Sequence, residues 1–392
     1  MEQKNLVPKR RFKEFQNTSA WEQRRLGDVA EISAGGDIDK TKLSGFGKYP
    51  VIANALTNDG IIGYYENDFR IEAPAVTVTG RGDVGHAQAR KTNFTPVVRL
   101  LSVKSKHDVD FLEHAINKHK VLVESTGVPQ LTSPQLANYK IWFTSLEEEK
   151  KIGRFFCSLD NLITLHQRKL EKMKAIKSAY LSEMFPAEGE RVPKRRFAGF
   201  TQAWEQRKLG DMVEEIIDNR GKTPPIVSSS QYPLLEVASL GNDTPDYSKV
   251  TKYVDKETYK NWFRQHIKKG DILFATVGNT GVTAMMDGAH QATIAQNIVG
   301  FRPNEKFNSE FMLQMFNLPG NLKKAKRIEM GAVQPSVKVS QLIDVKYSVP
   351  SKEEQVKVGT FFANLDHLIT LHQRKLEKLQ NIKKAYLNEM FV

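Results

Sequence analysis

The sequence has a single cysteine and no long apolar run. Only Cys157 of its 392 residues carries a thiol, which excludes an internal disulfide framework and a cysteine-rich zinc site. No apolar stretch approaches the roughly 20 residues that a membrane-spanning helix needs. The first residues, MEQKNLVPKRRF, are charged and lack the apolar segment of a secretory signal. We therefore expect a cytoplasmic protein.

Motifs for catalysis or metal binding are also missing. The nine histidines show neither an HExxH motif nor a His/Cys cluster with metal-ligand spacing. Residues 221–223, Gly-Lys-Thr, resemble the end of a phosphate-binding loop, but Ile216 stands where that loop needs glycine, and two prolines follow where its helix must begin. The glycine-rich turns at residues 80–85 and 278–281 lack dinucleotide-binding spacing. The sequence thus predicts no catalytic residue and no metal ligand, which favours a binding protein.

Positive charge is in clear excess. The chain has 58 lysines and arginines against 45 aspartates and glutamates, a net charge of +13. Such a surplus favours a polyanionic partner, and nucleic acid is the leading interpretation. An anionic membrane surface and an acidic protein remain alternatives on charge alone.

One segment occurs twice, because residues 162–172, LITLHQRKLEK, are identical to residues 368–378. Around both copies, apolar residues recur at alternating steps of four and three, which is a heptad pattern. We predict two helices of about 26 residues, each about 39 Å long, and no glycine or proline interrupts either run from its Phe-Phe pair to Met184 or Met390. The acidic residues 147–149 and the segment 351–355 are expected to begin the helices, since negative charge favours a helix N-terminus. The seam residues are Leu159, Ile163, His166, Leu170, Met173 and Tyr180 in the first copy and Leu365, Ile369, His372, Leu376, Leu379 and Tyr386 in the second, with Lys177 and Lys383 on the same stripe.

The two helices have two interpretations. They can form an intramolecular coiled coil that only holds the fold together, or a spacer of fixed length between two binding regions. The seam histidines are interpreted as polar interface residues rather than metal ligands.

A second repeated stretch, which we call the opening segment, begins each half of the chain. VPKRRF stands at residues 7–12 and 192–197, and WEQRRLGD at 21–28 returns as WEQRKLGD at 204–211. Proline and the polar run predict an extended conformation. The phenylalanine and tryptophan of each opening segment are expected to be packing anchors. Its arginines and lysines are expected to be solvated, and contact with phosphate is the alternative.

The regions between opening segment and long helix differ in residues but share an order of elements. In residues 29–145 we predict strands at 72–78, 96–103 and 139–143 and a helix at 109–123. In residues 212–350 we predict strands at 270–277, 293–301 and 345–349 and a helix at 309–329. Each region has a glycine-rich turn after its first strand and a Gly-x-x-Gln loop before its last. We therefore divide the chain into domains 1–146, 147–186, 187–350 and 351–392.

Polar side chains on these turns and loops are candidate DNA contacts. Glutamine can pair with adenine through two hydrogen bonds, and serine, threonine, arginine and lysine bind base edges or phosphates. A loop that satisfies its own backbone is the alternative for each residue. The candidates are Thr79, Arg81, Arg90, Lys91, Gln130, Thr132, Arg220, Lys222, Thr276, Asn279, Thr280, Gln296, Asn297, Gln334, Ser336 and Lys338.

The paired opening segments, the Gly-x-x-Gln loops and the acidic segments 147–153 and 352–359 that begin the duplicated helices resemble the specificity subunit of type I restriction–modification enzymes. The resemblance covers nearly the whole chain. It departs from the family pattern at residues 144–146, Thr-Ser-Leu, where the first helix lacks the usual preceding proline.

The resemblance implies an α/β fold with two target-recognition domains, separated by two long helices in an antiparallel coiled coil, and an internal pseudo-two-fold repeat. It implies that each domain reads one half of a split site in double-stranded DNA, and that the helices set the gap and carry two methylation subunits. Restriction subunits would complete the complex. S-adenosylmethionine, ATP and Mg²⁺ would belong to those partners, with no cofactor in this chain. An enzyme with an unrecognised site and a coiled-coil adaptor that meets DNA only through bulk charge are the rival interpretations.

Overall fold

The computed structural model describes residues 7–119, 129–219, 221–331 and 335–392. The chain divides into two compact units, of which the first comprises Met1–Arg168 and Arg374–Val392 and the second Lys169–Gln373. Both long helices cross this division, so each unit contains one α/β region and a part of each helix. No helix in the described ranges is long and apolar enough to span a bilayer.

The first unit combines short strands with helices. In chain order, its described elements are β1 (Glu22–Arg25), α1 (Leu26–Val29), β2 (Ala30–Ala34), β3 (Tyr49–Ile52), β4 (Ile61–Tyr65), β5 (Ala75–Thr79), β6 (Ala87–Arg90), β7 (Thr95–Pro96), β8 (Leu100–Ser105), α2 (Val109–Lys118), α3 (Ser133–Ala137), β9 (Lys140–Phe143) and the start of α4 (Leu146–Met184). An antiparallel sheet has the order β2-β8-β5-β6, a smaller sheet has the order β4-β3-β7, and β1 pairs with β9. All five residues of β5 are buried, which explains its sequence AVTVT.

The second unit repeats this plan. Its described elements are β10 (Glu205–Lys208), β11 (Val213–Ile217), β12 (Tyr232–Leu235), β13 (Tyr253–Val254), α5 (Lys256–Asn261), β14 (Ile272–Ala275), β15 (Thr283–Met285), β16 (Thr293–Ile294), β17 (Ile298–Pro303), α6 (Ser309–Asn317), α7 (Pro319–Arg327), α8 (Val339–Leu342), β18 (Lys346–Val349) and the start of α9 (Lys352–Met390). The sheet orders are β11-β17-β14-β15, β13-β12-β16 and β10-β18. Each strand of the first unit has a counterpart, so the predicted α/β repeat is confirmed.

The same aromatic cluster forms the core of each unit. In the first unit, Trp21 of the opening segment contacts Phe111 of α2 edge-on at 5.7 Å between ring centroids, and Phe111 stacks on Phe391 at 5.2 Å. In the second unit, Trp204 meets Phe311 at 5.7 Å, and Phe311 stacks on a phenylalanine just after α4. Buried aromatic rings of this size each stabilise a fold by a few kcal/mol. The expectation that the tryptophans of the opening segments are packing anchors is confirmed.

The expectation that the arginines of the opening segments are solvated is wrong for one arginine in each copy. Arg11 forms two hydrogen bonds of 2.7 and 2.6 Å to the carboxylate of Glu148, and Arg196 forms two of 2.7 Å to Glu354. The side chains of Arg11 and Glu148 are 4% and 0% exposed. A carboxylate buried in the first turn of a long helix needs a cation, and guanidinium matches both of its oxygens.

The long helices begin in the acidic segments, where the sequence predicts their N-termini, but they are longer than the expected 26 residues. Helices α4 and α9 each have 39 residues, about 58 Å at the standard rise. The glycines in these segments, Gly153 and Gly359, do not break the helix. The first turn of α2 lies against Gly153 and that of α6 against Gly359, so closely that a side chain at either glycine would collide with the neighbouring helix.

Three other predicted elements are interrupted. The helix predicted at 309–329 is two helices, since Pro319 cannot continue α6 and instead begins α7. The strands predicted at 96–103 and 293–301 are each split into a two-residue and a six-residue strand. The helix predicted at 109–123 ends at Lys118, and its predicted last turn lies outside the described residues.

The long helices pack antiparallel within each unit. In the first unit Phe155 of α4 contacts Tyr386 of α9. Asp160, five residues later in α4, pairs with Lys383, three residues earlier in α9. In the second unit the equivalent contacts are Phe361 to Tyr180 and Asp366 to Lys177. Both lysine–aspartate distances are 2.5 Å. The two lysines on the predicted apolar stripe are therefore neutralised across the seam.

A second carboxyl group joins the ion pair in the second unit. The loop after β12 hydrogen-bonds to β15, with the Met285 amide donating to the Asp243 carbonyl, and it brings the Asp243 carboxyl to Asp366 and Lys177. Gln314 of α6 donates to Asp366 at 2.9 Å. Burial, and secondly the negative charge of Asp366, raise the pKa of Asp243 to about 6.

The glycine in α9 provides a test of the helix contact. A Cβ atom at position 359 would lie 2.4 Å from Asn308 Oδ1 and 2.8 Å from the Phe311 amide, the two atoms of the α6 N-terminal cap. We expect Gly359→Ala to lower the free energy of unfolding by about 1–3 kcal/mol, although alanine normally favours a helix. The control is Gly320→Ala in α7, where a Cβ meets nothing within 4 Å. Urea denaturation that shows equal stability for both variants would contradict the close contact.

The elevated pKa of Asp243 predicts a pH-dependent effect of its removal. Ionisation of the Asp243 carboxyl is less favourable in the folded protein than in the unfolded chain. The stability that the protonated carboxyl contributes is therefore present below about pH 4 and is lost as the pH rises through about 6. We expect Asp243→Asn to raise the melting temperature by about 2–4 °C at pH 8 and to change it little at pH 4.5. Asp246 on the same loop has a lowered pKa because Ser248 donates hydrogen bonds to it, so Asp246→Asn should not stabilise at pH 8. Scanning calorimetry that finds the same shift for Asp243→Asn at both pH values would refute this assignment.

Candidate nucleic-acid interface

Segments far apart in sequence meet at one edge of the main sheet in the second unit. Beyond the end of β14, the Thr276 amide donates to the Asn297 carbonyl at 2.9 Å, and the Val337 amide donates to the Thr276 carbonyl at 2.8 Å. The Gly278 amide donates to the Pro335 carbonyl. The glycine-rich turn, the turn before β17 and the end of the Gly-x-x-Gln loop are therefore neighbours.

The first unit forms the same edge with different residues. The Leu131 amide donates to the Gly80 carbonyl at 2.9 Å, and Arg81 and Gln130 form an antiparallel β-bridge. Asn54 fixes this turn, because its Oδ1 accepts from the Gly80 amide at 2.7 Å and its Nδ2 donates to the Arg81 carbonyl at 2.7 Å. Sequence reasoning missed Asn54, since it acts across 26 residues from a region with no recognisable motif. A glycine is required at position 80, where a Cβ would lie 2.4 Å from the Arg99 carbonyl oxygen.

The candidate DNA contacts differ in exposure. Lys91, Gln130, Thr132, Lys222, Asn279, Gln296 and Lys338 are exposed, Arg81, Arg90, Asn297 and Ser336 are half-buried, and Thr79, Thr276 and Thr280 are buried. Arg220 and Gln334 lie outside the described residues. At the edge, Gln130 and Thr132 are exposed in the first unit, and Asn279, Gln296 and Lys338 in the second. Arg90 and Lys91 do not lie at this edge, because Arg90 pairs with Ala75 at the opposite end of β5. None of these placements tests DNA contact, which stays a prediction.

Several candidates also have partners within the protein. The Thr79 hydroxyl donates to the Asp83 carbonyl and accepts from the His86 amide, so it braces the glycine-rich turn. Thr132 caps α3 in a reciprocal capping box. Arg90 donates to the Thr77 hydroxyl at 3.0 Å, and burial lowers the pKa of its guanidinium. Lys91 pairs with a carboxylate of α2 at 2.8 Å.

Unused hydrogen-bonding capacity remains at the edge in the second unit. Asn219 Nδ2, Thr280 Oγ1 and Asn297 Oδ1 are buried atoms without a partner among the residues that the structure describes. Buried polar atoms are nearly always paired, so each of these atoms marks a place where a ligand or water completes the bonding. Asn219 follows β11, is 1% exposed, and accepts from the Gly221 amide at 3.2 Å. Its position just before a Gly-Lys turn was the available sequence signal.

The predicted seam residues are shielded from solvent to different degrees. All twelve are buried or half-buried. His166 is 6% exposed, and both seam histidines take part in interactions. In the described ranges, no group of three or more His, Cys, Asp or Glu side chains is arranged to hold a metal ion.

Comparison with known proteins agrees with this architecture. A family model described as the type I restriction modification DNA specificity domain matches the chain twice, at residues 18–175 and 201–381. The specificity subunit of type I restriction enzyme MjaVIII from Methanocaldococcus jannaschii is 23% identical over 400 aligned residues, which cover 94% of this chain and 91% of the relative. The putative MjaX specificity subunit of that organism is 24% identical, with 94% and 92% covered.

A solved structure supports the fold. The S subunit of a type I restriction–modification system from M. genitalium superposes with a TM-score of 0.68 and covers 99% of both chains at 14% identity. The family model covers most of the sequence, once for each repeat. The chain therefore belongs to the type I restriction–modification DNA specificity family.

Proposed function

We propose that this chain is the sequence-reading subunit of a type I restriction–modification complex, in which each α/β region reads one half of a bipartite DNA site. The observation that carries the proposal is the repeated sheet edge. Its backbone arrangement is the same in both units, whereas its side chains differ, with the bridged pair Arg81 and Gln130 in one and Val277 and Ser336 in the other. Two different readers on one repeated frame suit a site made of two different half-sequences.

The charge of the chain supports a DNA partner. Lysines and arginines that neutralise phosphates supply affinity that depends on salt and not on sequence. Base-edge contacts from amides, hydroxyls and guanidinium groups supply the choice of sequence. The net charge of +13 and the exposed polar side chains of the sheet edge provide both kinds of group.

The outer face of the long helices is the proposed docking site for methylation subunits. Leu162 and Leu165 of α4 are 45% and 46% exposed, and Leu368 and Leu371 of α9 are each 46% exposed. Exposed leucines at matching positions of two identical segments suit two copies of one partner. We further propose that the helices set the gap between half-sites.

Catalysis is assigned to the partners. We propose that methylation subunits use S-adenosylmethionine, that restriction subunits use ATP and Mg²⁺, and that this chain contributes recognition without chemistry of its own. The competing function is an adaptor that meets DNA only through bulk charge. Modification of one split sequence favours the reader, and binding that ignores sequence at every salt concentration favours the adaptor.

The direct test is a genome-wide map of methylated adenine in cells that carry this chain and its methylation subunit. We expect one split motif, modified on opposite strands and lost when the chain is deleted. Gln130→Ala should relax recognition in one half of that motif only, because Gln130 belongs to the sheet edge of the first unit. Loss of about 1–3 kcal/mol of base discrimination would accompany it. Gln16→Ala, at an exposed glutamine between the two repeated parts of the first opening segment, should leave the motif unchanged. A motif relaxed equally in both halves would indicate a folding defect.

The spacer role has its own test. Four residues inserted after Lys172 in α4, together with four after Lys378 in α9, add about one turn to each helix. We expect a longer gap between the half-sites, with both half-site sequences retained. Methylation mapping that shows altered half-site sequences at an unchanged gap would contradict the spacer role.

A further inference from the structure

The connection between β13 and β14, residues 255–271, differs in charge from its counterpart in the first unit. It contains Lys256, Lys260, Arg264, Lys268 and Lys269 against three acidic residues. The counterpart between β4 and β5, residues 66–74, contains three acidic residues and one arginine. Equivalent connections of one repeated fold therefore carry opposite net charge.

This connection is firmly attached to the unit beneath it. Asp255 caps α5 by accepting from the Thr258 amide at 2.7 Å. Tyr259 stacks on Tyr232 of β12 at 4.4 Å and on His266 at 4.2 Å between ring centroids. Phe263 is 5% exposed. Because the aromatic side chains point inward, the cations that alternate with them are held on the outside of a fixed surface.

The five cations of the connection are exposed, and none forms an ion pair with a carboxylate in the part of the chain that the structure describes. Lysines just before the connection behave differently. Lys249 pairs with Asp246 at 3.6 Å, and Lys252 pairs with Glu236 at 2.7 Å. Uncompensated positive charge on an ordered surface is the electrostatic signature of a site for a polyanion.

The connection also adjoins the candidate interface. Val227 and Tyr253 exchange backbone hydrogen bonds of 2.8 and 3.2 Å in an antiparallel bridge. The segment that contains the exposed Lys222 therefore meets β13 at Val227. Helix α5 begins one residue after β13 ends. The cationic surface is thus continuous with a predicted DNA-contacting segment.

We propose that residues 255–271 form a phosphate-binding surface for duplex DNA that only the second recognition region possesses. The second region then supplies more of the salt-dependent affinity for DNA than the first region does. The first region contributes mainly to the choice of sequence. This inference rests on the proposed function. An acidic protein surface is the alternative partner for the same cations.

The experiment uses the complex of this chain with its methylation subunits. The DNA is a duplex that contains the split motif identified by methylation mapping. Its dissociation constant is measured from about 50 to 200 mM KCl for the wild type and for the triple variant Lys256→Gln/Lys260→Gln/Arg264→Gln. Each phosphate contact contributes about 0.9 to the slope of log affinity against log salt. If each cation binds one phosphate, the slope falls by about 2.7, and the affinity deficit of the variant is about 40-fold larger at the lowest salt concentration than at the highest. The methylated sequence should not change.

A matched control removes the same charge from the first unit. Lys40, Lys42 and Lys48 are exposed, and their triple glutamine variant should change the slope much less. Replacing Lys256 and Lys260 by arginine should retain the wild-type slope. Equal slope changes in both triple variants would overturn the asymmetry. An unchanged slope in the Lys256/Lys260/Arg264 variant would overturn the proposed DNA contact. If that variant instead loses a methylation subunit at an unchanged slope, the cations bind a protein and the proposal is likewise overturned. A wild-type complex without sequence preference would refute the proposed function, and that result is distinguishable from the other two.

Discussion

An ion pair between a lysine of one long helix and an aspartate of the other fixes how the helices align. The pair is Lys177 with Asp366 in the second unit and Lys383 with Asp160 in the first, each at 2.5 Å. An apolar heptad seam alone permits a shift by one repeat, whereas a buried charge such as that of Asp366, 5% exposed, costs several kcal/mol when it is left without its partner. This alignment also places Phe391 and its counterpart after α4 against the tryptophans of the opening segments, so the core of each unit depends on it.

The frame and the candidate interface are built by different residues. The frame consists of the tryptophan of the opening segment, the buried arginine–glutamate pair, the helix glycine and the seam, and all four recur in both units. The interface consists of turns held by backbone hydrogen bonds, such as that of the Leu131 amide to the Gly80 carbonyl. Because backbone bonds do not depend on side-chain identity, exposed side chains can change there without loss of the turn. That separation suits a protein whose two halves read different sequences.

The two units are nevertheless not equivalent around the ion pair. In the second, the Asp243 loop lies against Asp366 and Lys177. In the first, Asp160 and Lys383 line an open polar cavity of about 290 Å³. The β13–β14 connection also differs from its counterpart in the first unit, residues 66–74, because the two carry opposite net charge. Divergence of the recognition regions therefore reaches beyond the candidate base-contacting turns.

The sequence by itself determined the repeat, the two helices, their seam and the order of strand, turn and loop, because identical segments, heptads and glycines are local signals. Only the tertiary structure decided which residues meet. It buried Arg11 against Glu148, gave Gly153 and Gly359 their role, and brought Asn54 to the candidate interface. Those contacts join positions far apart in the chain, and composition carries no record of distance in space. Burial and pairing are properties of the folded surroundings, so an arginine that the sequence pattern places in solvent becomes a buried partner once the helix beside it is in place.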